Sequence, residues 1–179
     1  PSNRELLTTA AIQITGQRPS DDQFEALSNQ IGYARNMMFP GGKLVASGLD
    51  YPQIDAISEA YEQLKAKQNA MDFDDLLLAV LKLLQEESHL LNRLKKRFPF
   101  VQIDEAQDTS KVQHEILKRL VYPQNNLFIV ADDDQAIYGF RGASPELLLG
   151  FNRQFPNGSL YHLSLNYRSR QEILKVCDH

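Results

Sequence analysis

The chain has 179 residues, 42% of them hydrophobic and 23% charged, which is the composition of a soluble globular protein. Its formal net charge of −4 excludes a protein that coats nucleic acid by bulk attraction, although a local basic or stacking surface stays open. It has no apolar run long enough to cross a bilayer, no secretory signal and a single cysteine, so we expect it in the cytoplasm.

The first third of the chain is predicted to be helical. Ser20 and Gln23 have the spacing of a capping box, and "PGG" near residue 40 is expected to end the helix that they open. The apolar residues of that helix recur at helical intervals, namely Phe24, Leu27, Ile31, Ala34 and Met38. Pro52 can open the next helix, whose stripe is Ile54, Ile57, Tyr61 and Leu64.

A third helix is predicted in "MDFDDLLLAVLKLL". Asp72 is a plausible N-cap, and residues 76–84 are apolar almost all round. A helix of this composition is expected to be buried on most sides. We therefore expect an α/β core to begin here and residues 71 to 167 to bury a core.

Beyond Phe98 the pattern changes to short apolar runs separated by helices. "FPFVQID" and "NLFIVAD" each end in an acid and are predicted to be buried strands, with "SLYHLSLNY" as a third. Ser110 and Gln113 predict a helix between the first two, and "SPELLLGFNRQF", capped by Ser144, predicts a helix before the third. Strands that alternate with helices predict an α/β fold with a parallel sheet, here preceded by a helical unit.

Polar motifs follow all three predicted strands: "DEAQD", "DDDQAIYGFRGA" and "NYRS". Ligands bind beyond the carboxyl ends of the strands in an open parallel sheet. Adjacent carboxylates repel one another unless a cation intervenes, and Mg²⁺ favours oxygen ligands. Asp104 is therefore a candidate metal ligand and Glu105 a candidate for orienting a water molecule, whereas Asp108 fits a helix cap equally well. Taken alone, Tyr167 and Arg168 fit a solvated helix start.

Three of these stretches, "IDEAQDTS", "VADDDQAIYGFRGA" and "LNYRS", resemble motifs of the UvrD/Rep/PcrA class of superfamily 1 DNA helicases. "MDFDDLL" resembles a further segment that those proteins carry upstream. The resemblance implies part of a RecA-like P-loop NTPase sheet flanked by helices. Residues 1–70 would be a helical insert, 71–165 the later part of the first motor domain, and 166–179 the start of a connection to a second.

The resemblance also implies a role for each matched residue on the nucleotide side. Asp104 would bind the Mg²⁺ of MgATP, and Glu105 would be the catalytic base and a second candidate metal ligand. Gln135 would sense the γ-phosphate. Tyr167 would stack on adenine, and Arg168 would reach the γ-phosphate as a cationic finger. ATP and Mg²⁺ are the implied cofactors.

On the DNA side, the resemblance implies that Tyr138 and Phe140 sit against the bases of single-stranded DNA and that Arg141 couples the two sides. Phe140 stands where relatives usually have Trp, which keeps a stacking face but loses area. The two aromatics could also be core residues, but Gly139 and Gly142 indicate a turn. The implied substrate is single-stranded and partly duplex DNA, with 3′-to-5′ movement.

A phosphate-binding loop, G-x-x-x-x-G-K-[ST], does not occur in these 179 residues, and "GGKL" only resembles one. The chain starts at Pro1 and stops at His179 within a predicted helix, so we expect a piece of a longer protein that carries the Walker A segment and the second motor domain elsewhere. By itself the piece is expected to hydrolyse little ATP and to self-associate through an exposed sheet.

Two other functions stay open at this point. A metal-dependent nuclease could use the same acids, but it leaves Gln135, Tyr167 and Arg168 unexplained. A non-catalytic DNA-binding or scaffold module could have lost its motor parts. A phosphate-loop signature upstream of Pro1 would favour the motor over the scaffold.

Overall fold

Residues 2–41, 43–144, 146–170 and 172–173 of the chain are described by a computed structural model, apart from the side chains of residues 141, 146 and 147. Its helices and strands, in chain order, are α1 (Asn3–Thr15), α2 (Asp21–Asn36), α3 (Ile54–Gln68), α4 (Phe73–Glu86), α5 (Ser88–Arg97), β1 (Val101–Ile103), α6 (Lys111–Val121), β2 (Leu127–Ile129), α7 (Glu146–Leu149) and α8 (Phe151–Gln154). None of the helices in these ranges has the length and apolar character that crossing a membrane requires.

A parallel strand pair confirms the predicted mixed α/β fold. Val101 lies opposite Leu127 and Ile103 opposite Ile129, and α6 connects the two strands. One face of the pair is half-buried, whereas Phe128 on the other face is exposed. The carboxyl ends of β1 and β2 therefore point to the same edge, which is where ligands bind in parallel sheets.

The helical unit, residues 2–70, contains the main hydrophobic core. The capping box that opens α2 is formed as predicted, because Ser20 Oγ accepts from the Gln23 amide at 3.3 Å and Gln23 Oε1 from the Ser20 amide at 2.9 Å. Its buried side chains pack into one cluster, which comprises Leu6, Leu7, Ala10, Ala11, Leu27, Ile31, Ala34, Leu44, Ile54, Ile57 and Tyr61. This cluster lies before residue 71, whereas the sequence predicted only a helical unit there and placed the expected core after it.

Helix α4 is much less buried than predicted. Leu81 and Leu84 are buried, but Leu76 is 49% exposed and Val80 and Leu83 are exposed too. In the described ranges, α4 packs against α2, α5 and α6. The prediction failed because an all-apolar helix shows which residues avoid water but not which neighbours cover them.

The third predicted strand is also absent. Residues 159–167 form neither helix nor strand, and Leu160, Leu163 and Leu165 are exposed. A strand is held by hydrogen bonds to a neighbouring strand, and β1 and β2 are the two that pair in the described ranges.

The helix predicted in "SPELLLGFNRQF" is divided in two. Gly150 separates α7 from α8 as the N-cap of the second, and Pro145 lies outside the described residues. Gly is among the poorest helix formers, which accounts for the break. The capping box predicted at 169–172 includes residue 171, which also lies outside the described residues.

A cluster of charged side chains joins the helical unit to α4, and we call it the junction network. Lys65, only 2% exposed, places Nζ at 2.9 Å from Asp72 Oδ2 and 2.7 Å from Asp75 Oδ2. Arg35 from α2 pairs with both carboxylates. Tyr61 adds a hydrogen bond from its hydroxyl to Asp72 Oδ2 at 3.1 Å. Each buried charge is thus paired, as burial requires.

The junction network shifts the pKa values of its members. Burial by itself would raise the pKa of Asp75, but hydrogen bonds from Lys65, the Asp72 backbone amide and Arg35 outweigh burial and lower the pKa to about 2. Burial would lower the pKa of Lys65, yet its hydrogen bonds to Asp75 and Asp72 leave it raised. Both side chains therefore stay charged over the whole neutral range.

Candidate nucleotide and DNA site

The acid turn, residues 104–108, follows β1 directly. Asp104 and Glu105 are exposed, and Asp104 Oδ1 accepts a hydrogen bond from the Glu105 amide at 3.0 Å. Glu105 adopts a left-handed backbone, with φ 51° and ψ 44°. A residue other than glycine in this conformation costs about 1 kcal/mol or more, and such residues cluster at functional sites.

The second loop, residues 132–135, follows β2. Asp132 Oδ1 accepts from the Asp134 amide at 3.1 Å, and Asp132 Oδ2 accepts from Gln135 Nε2 at 2.6 Å. The Gln135 side chain is therefore held by its own loop. The two loops are neighbours because β1 and β2 are adjacent and parallel, and the Ala106 amide donates to the Val130 carbonyl at 3.1 Å.

One buried side chain connects the two loops, and we call the arrangement the Gln107 bridge. Gln107 is 1% exposed. Its Nε2 donates to Glu105 Oε2 at 2.7 Å, and its Oε1 accepts from the Asp132 amide at 3.1 Å. The structure thus places Glu105 and Gln135 in one hydrogen-bonded chain that runs through Gln107 and Asp132.

The aromatic loop, residues 138–142, carries the predicted DNA-binding residues. Tyr138 and Phe140 are 40% and 52% exposed, with ring centroids 6.2 Å apart. Neither ring is a core residue. Gly142 has φ 84°, and a Cβ there would lie 2.7 Å from the Cβ of Asn36 in α2, so the loop rests against the helical unit. The side chain of Arg141 lies outside the described part.

The third polar stretch stands apart from the other two. Tyr167 is 90% exposed, and Arg168 is exposed as well. Asn166 Oδ1 accepts from the amides of Arg168 and Ser169 at 2.9 and 3.0 Å, which forms a tight turn. In the part of the chain that the structure describes, neither Tyr167 nor Arg168 has a hydrogen bond or ion pair to the acid turn or the second loop.

Among the described residues, His, Cys, Asp and Glu side chains do not converge in groups of three or more that could hold a metal ion. Mg²⁺ in nucleotide sites commonly takes only one or two carboxylates, with phosphates and water as the other ligands. The exposed hard oxygens of Asp104 fit that smaller requirement. Asp108 does not cap the following helix, because the N-cap of α6 is Ser110.

Sequence reasoning missed Gln107 and the contact of Gly142 with α2. The amide of "DEAQD" stands among acids, and an amide both donates and accepts, which was the available signal. Its second partner, Asp132, lies 25 residues further along the chain. The contact between Gln107 and Asp132 could be recognised only once the pairing of β1 with β2 was known.

Comparison with known proteins identifies the family to which the chain is similar. The family model described as UvrD/REP helicase N-terminal domain matches residues 6–156. The putative ATP-dependent DNA helicase YjcD of Bacillus subtilis is 33% identical over 175 residues, which cover 98% of this chain and 23% of that protein. The ATP-dependent DNA helicase PcrA of the same organism is 34% identical over 134 residues, 75% of this chain and 18% of that protein.

A probable DNA helicase II homolog of Mycoplasma capricolum is 37% identical over 120 residues, which cover 67% of this chain and 17% of that protein. The chain therefore spans about a quarter or less of the length of these curated relatives.

Proposed function

The chain belongs to the UvrD/REP helicase N-terminal domain family, and we propose that it works as part of an ATP-dependent DNA helicase in the cytoplasm. The activity that we propose is the coupling of MgATP hydrolysis to 3′-to-5′ movement on single-stranded DNA and to duplex unwinding. The Gln107 bridge is the observation that carries the proposal, because it links the proposed catalytic acid to the proposed phosphate sensor.

On the nucleotide side, Asp104, with Glu105 beside it, would hold the Mg²⁺ that accompanies ATP. The bound ion would neutralise charge on the β- and γ-phosphates. Glu105 would orient and deprotonate the attacking water, while Gln135 would contact the γ-phosphate. Tyr167 would stack on adenine, and Arg168 would stabilise charge on the transferred phosphoryl group. Both residues lie in an exposed segment, which leaves them accessible to a ligand.

On the DNA side, Tyr138 and Phe140 would stack on successive bases, and Arg141 would couple DNA binding to the nucleotide site. Stacking on an aromatic ring stabilises binding by about 1–3 kcal/mol per base and tolerates any sequence. Both properties suit a protein that moves along DNA. The half-exposed rings of the aromatic loop support this role.

The decisive experiment replaces the proposed base in the complete protein that contains this chain. We expect Glu105→Gln to reduce DNA-stimulated ATP hydrolysis by about 100-fold or more, because general base catalysis contributes about 10²–10⁴-fold. Binding of nucleotide and DNA should persist. Glu115→Gln is the matched control, since Glu115 is half-buried and pairs with Lys118 within α6. Wild-type turnover by Glu105→Gln would overturn the proposal.

A binding experiment tests the DNA side separately. Tyr138→Ala and Phe140→Ala should each weaken binding of a single-stranded oligonucleotide by about 5- to 150-fold, which corresponds to the loss of one stacked base. Tyr161→Ala is the control, since Tyr161 is exposed outside the aromatic loop. Unchanged affinity in both loop variants would exclude the proposed DNA contact.

The isolated 179-residue chain makes a further test possible. Since it contains no phosphate-binding loop, we expect little or no ATP turnover, and its exposed apolar residues favour self-association at high concentration. Turnover assays and sedimentation measure these two properties. Cleavage of labelled DNA in Mg²⁺ or Mn²⁺ that depends on Asp104 would instead indicate a nuclease.

A further inference from the structure

We infer that Gln107 is a positioning residue that fixes the Glu105 carboxylate relative to the loop that carries Gln135. The inference rests on the proposed function, because it assigns a role in the same hydrolytic site. Gln107 lies between Glu105 and Asp108 in the acid turn and is almost completely buried. Its side chain nevertheless reaches both loops, with one hydrogen bond to each.

The chemistry of its two partners requires an amide at this position. The Glu105 carboxylate can only accept a hydrogen bond, and the Asp132 backbone amide can only donate one. An amide side chain supplies the matching donor and acceptor at opposite corners. A carboxylate at 107 would keep the bond to Asp132 but repel Glu105, and an apolar side chain would leave both partners without this contact.

The bridge engages one oxygen of the Glu105 carboxylate and leaves the other available. Gln107 Nε2 binds Oε2, and in the described ranges Oε1 takes part in no hydrogen bond within the chain. Because Glu105 is exposed, Oε1 is accessible to water. The left-handed backbone of Glu105 and the bond from its own amide to Asp104 fix the origin of the side chain. Gln107 then fixes the carboxylate at the end of the Glu105 side chain. The position of Oε1, the oxygen that could accept a proton from water, is thereby set.

The same bridge connects Glu105 to the phosphate sensor. Asp132 uses its backbone amide toward Gln107 and its carboxylate toward Gln135 Nε2, at 3.1 and 2.6 Å. A displacement of Gln135 by nucleotide would therefore act on Asp132, and through Gln107 on Glu105. Contiguous hydrogen bonds of this kind are a physical route for coupling between two sites.

The test uses the complete protein and a near-isosteric substitution. We expect Gln107→Met to lower kcat for DNA-stimulated ATP hydrolysis by about 10- to 100-fold, the effect of a misplaced catalytic group, with the KM for ATP changed by less than about 3-fold. Gln113→Met is the matched control, because Gln113 accepts from the Ser110 amide at 2.8 Å at the start of α6. It should leave kcat unchanged.

A double substitution separates positioning from a general structural effect. If Gln107 acts on the reaction through Glu105, then Gln107→Met combined with Glu105→Gln should cost no more than the larger single effect. Losses that multiply would overturn the inference, as would wild-type kcat in Gln107→Met.

If Gln107→Met unfolds below the assay temperature, the same kinetic measurement is made on Gln107→Glu. This variant keeps the side-chain volume and the acceptor for the Asp132 amide, but it loses the donor for Glu105. A loss of kcat in the folded Gln107→Glu variant supports the inference, and wild-type kcat overturns it. The parallel measurement on Glu105→Gln distinguishes the two proposals. If Glu105→Gln is inactive while Gln107→Met is fully active, only the positioning role fails.

Discussion

The helical unit and the described residues from 71 to 165, which include β1 and β2 and which we call the strand unit, bury their apolar residues to very different extents. The helical unit gathers the stripes of α1, α2 and α3 into one cluster with fully buried members such as Leu27 and Ile57. The strand unit pairs two three-residue strands and leaves much of α4 and one sheet face exposed. Glu105 and Gln135 lie in the less buried unit, and the difference shows that proposed catalytic residues need not lie beside the largest buried cluster.

The largest expected effect comes from the junction network, which holds the two units together. Lys65→Met should lower the free energy of unfolding by about 3–5 kcal/mol, because Asp72 and Asp75 would lose a buried cation. Lys67→Met is the control, since Lys67 is exposed two residues further along α3. Urea denaturation measures both. Equal losses in the two variants would mean that the network does not join the units.

A pair of leucines tests the contrast in burial directly. Leu27→Ala in the helical unit should cost about 3 kcal/mol, through lost apolar contact and a residual cavity. Leu76→Ala on the exposed face of α4 should change stability of the isolated chain by about 0.5 kcal/mol or less. Denaturation of the two variants under the same conditions gives the comparison. A larger cost at Leu76 would show that α4 is covered in solution.

Two left-handed glycines test whether the aromatic loop depends on the helical unit. Gly48→Ala should cost about 1 kcal/mol from backbone strain alone, because a Cβ there meets nothing within 4 Å. Gly142→Ala should cost about 1–2 kcal/mol more, since its Cβ would overlap Asn36. The same variant should also weaken DNA binding. Equal costs at the two positions would place the loop away from α2.

The response to acid tests the junction network without removing a side chain. The pKa of Asp75 is lowered from 3.8 to about 2, so its contribution is present above pH 3.8 and is lost as the pH falls through about 2. The loss should be about 2 kcal/mol. Denaturation of the wild type and Asp75→Asn at several pH values between 5 and 2 checks this. The difference between the two should shrink with falling pH, and a constant difference would contradict the assignment.

Elements whose stabilising contacts are local could be predicted from the sequence. The capping box at Ser20 and the N-cap at Asp72 lie within three residues of their partners, and both are formed. The exposure of α4 and of residues 159–167 could not be predicted, because periodicity shows which residues are apolar but not what packs against them. Asp75 lies in the first turn of α4, yet it also pairs with Arg35, 40 residues away.

The candidate site also has a part that the sequence predicts and a part that it does not. The position of Asp104 and of the second loop at one sheet edge could be predicted, since the strand order follows from the alternation of strands and helices. Gln107 could not be assigned, because its role depends on a contact between the two loops. That Arg168 acts together with the residues at that edge of the sheet stays a prediction.

The junction network has a consequence for behaviour on heating. Charged groups lose hydration free energy as the temperature rises, so the desolvation penalty of a buried ion pair becomes smaller, while apolar burial gains no further strength. The contact of Lys65 and Arg35 with the start of α4 should therefore weaken less on warming than the leucine and isoleucine cluster beside it. The share of the free energy of unfolding that comes from the junction network is therefore expected to grow as the temperature rises.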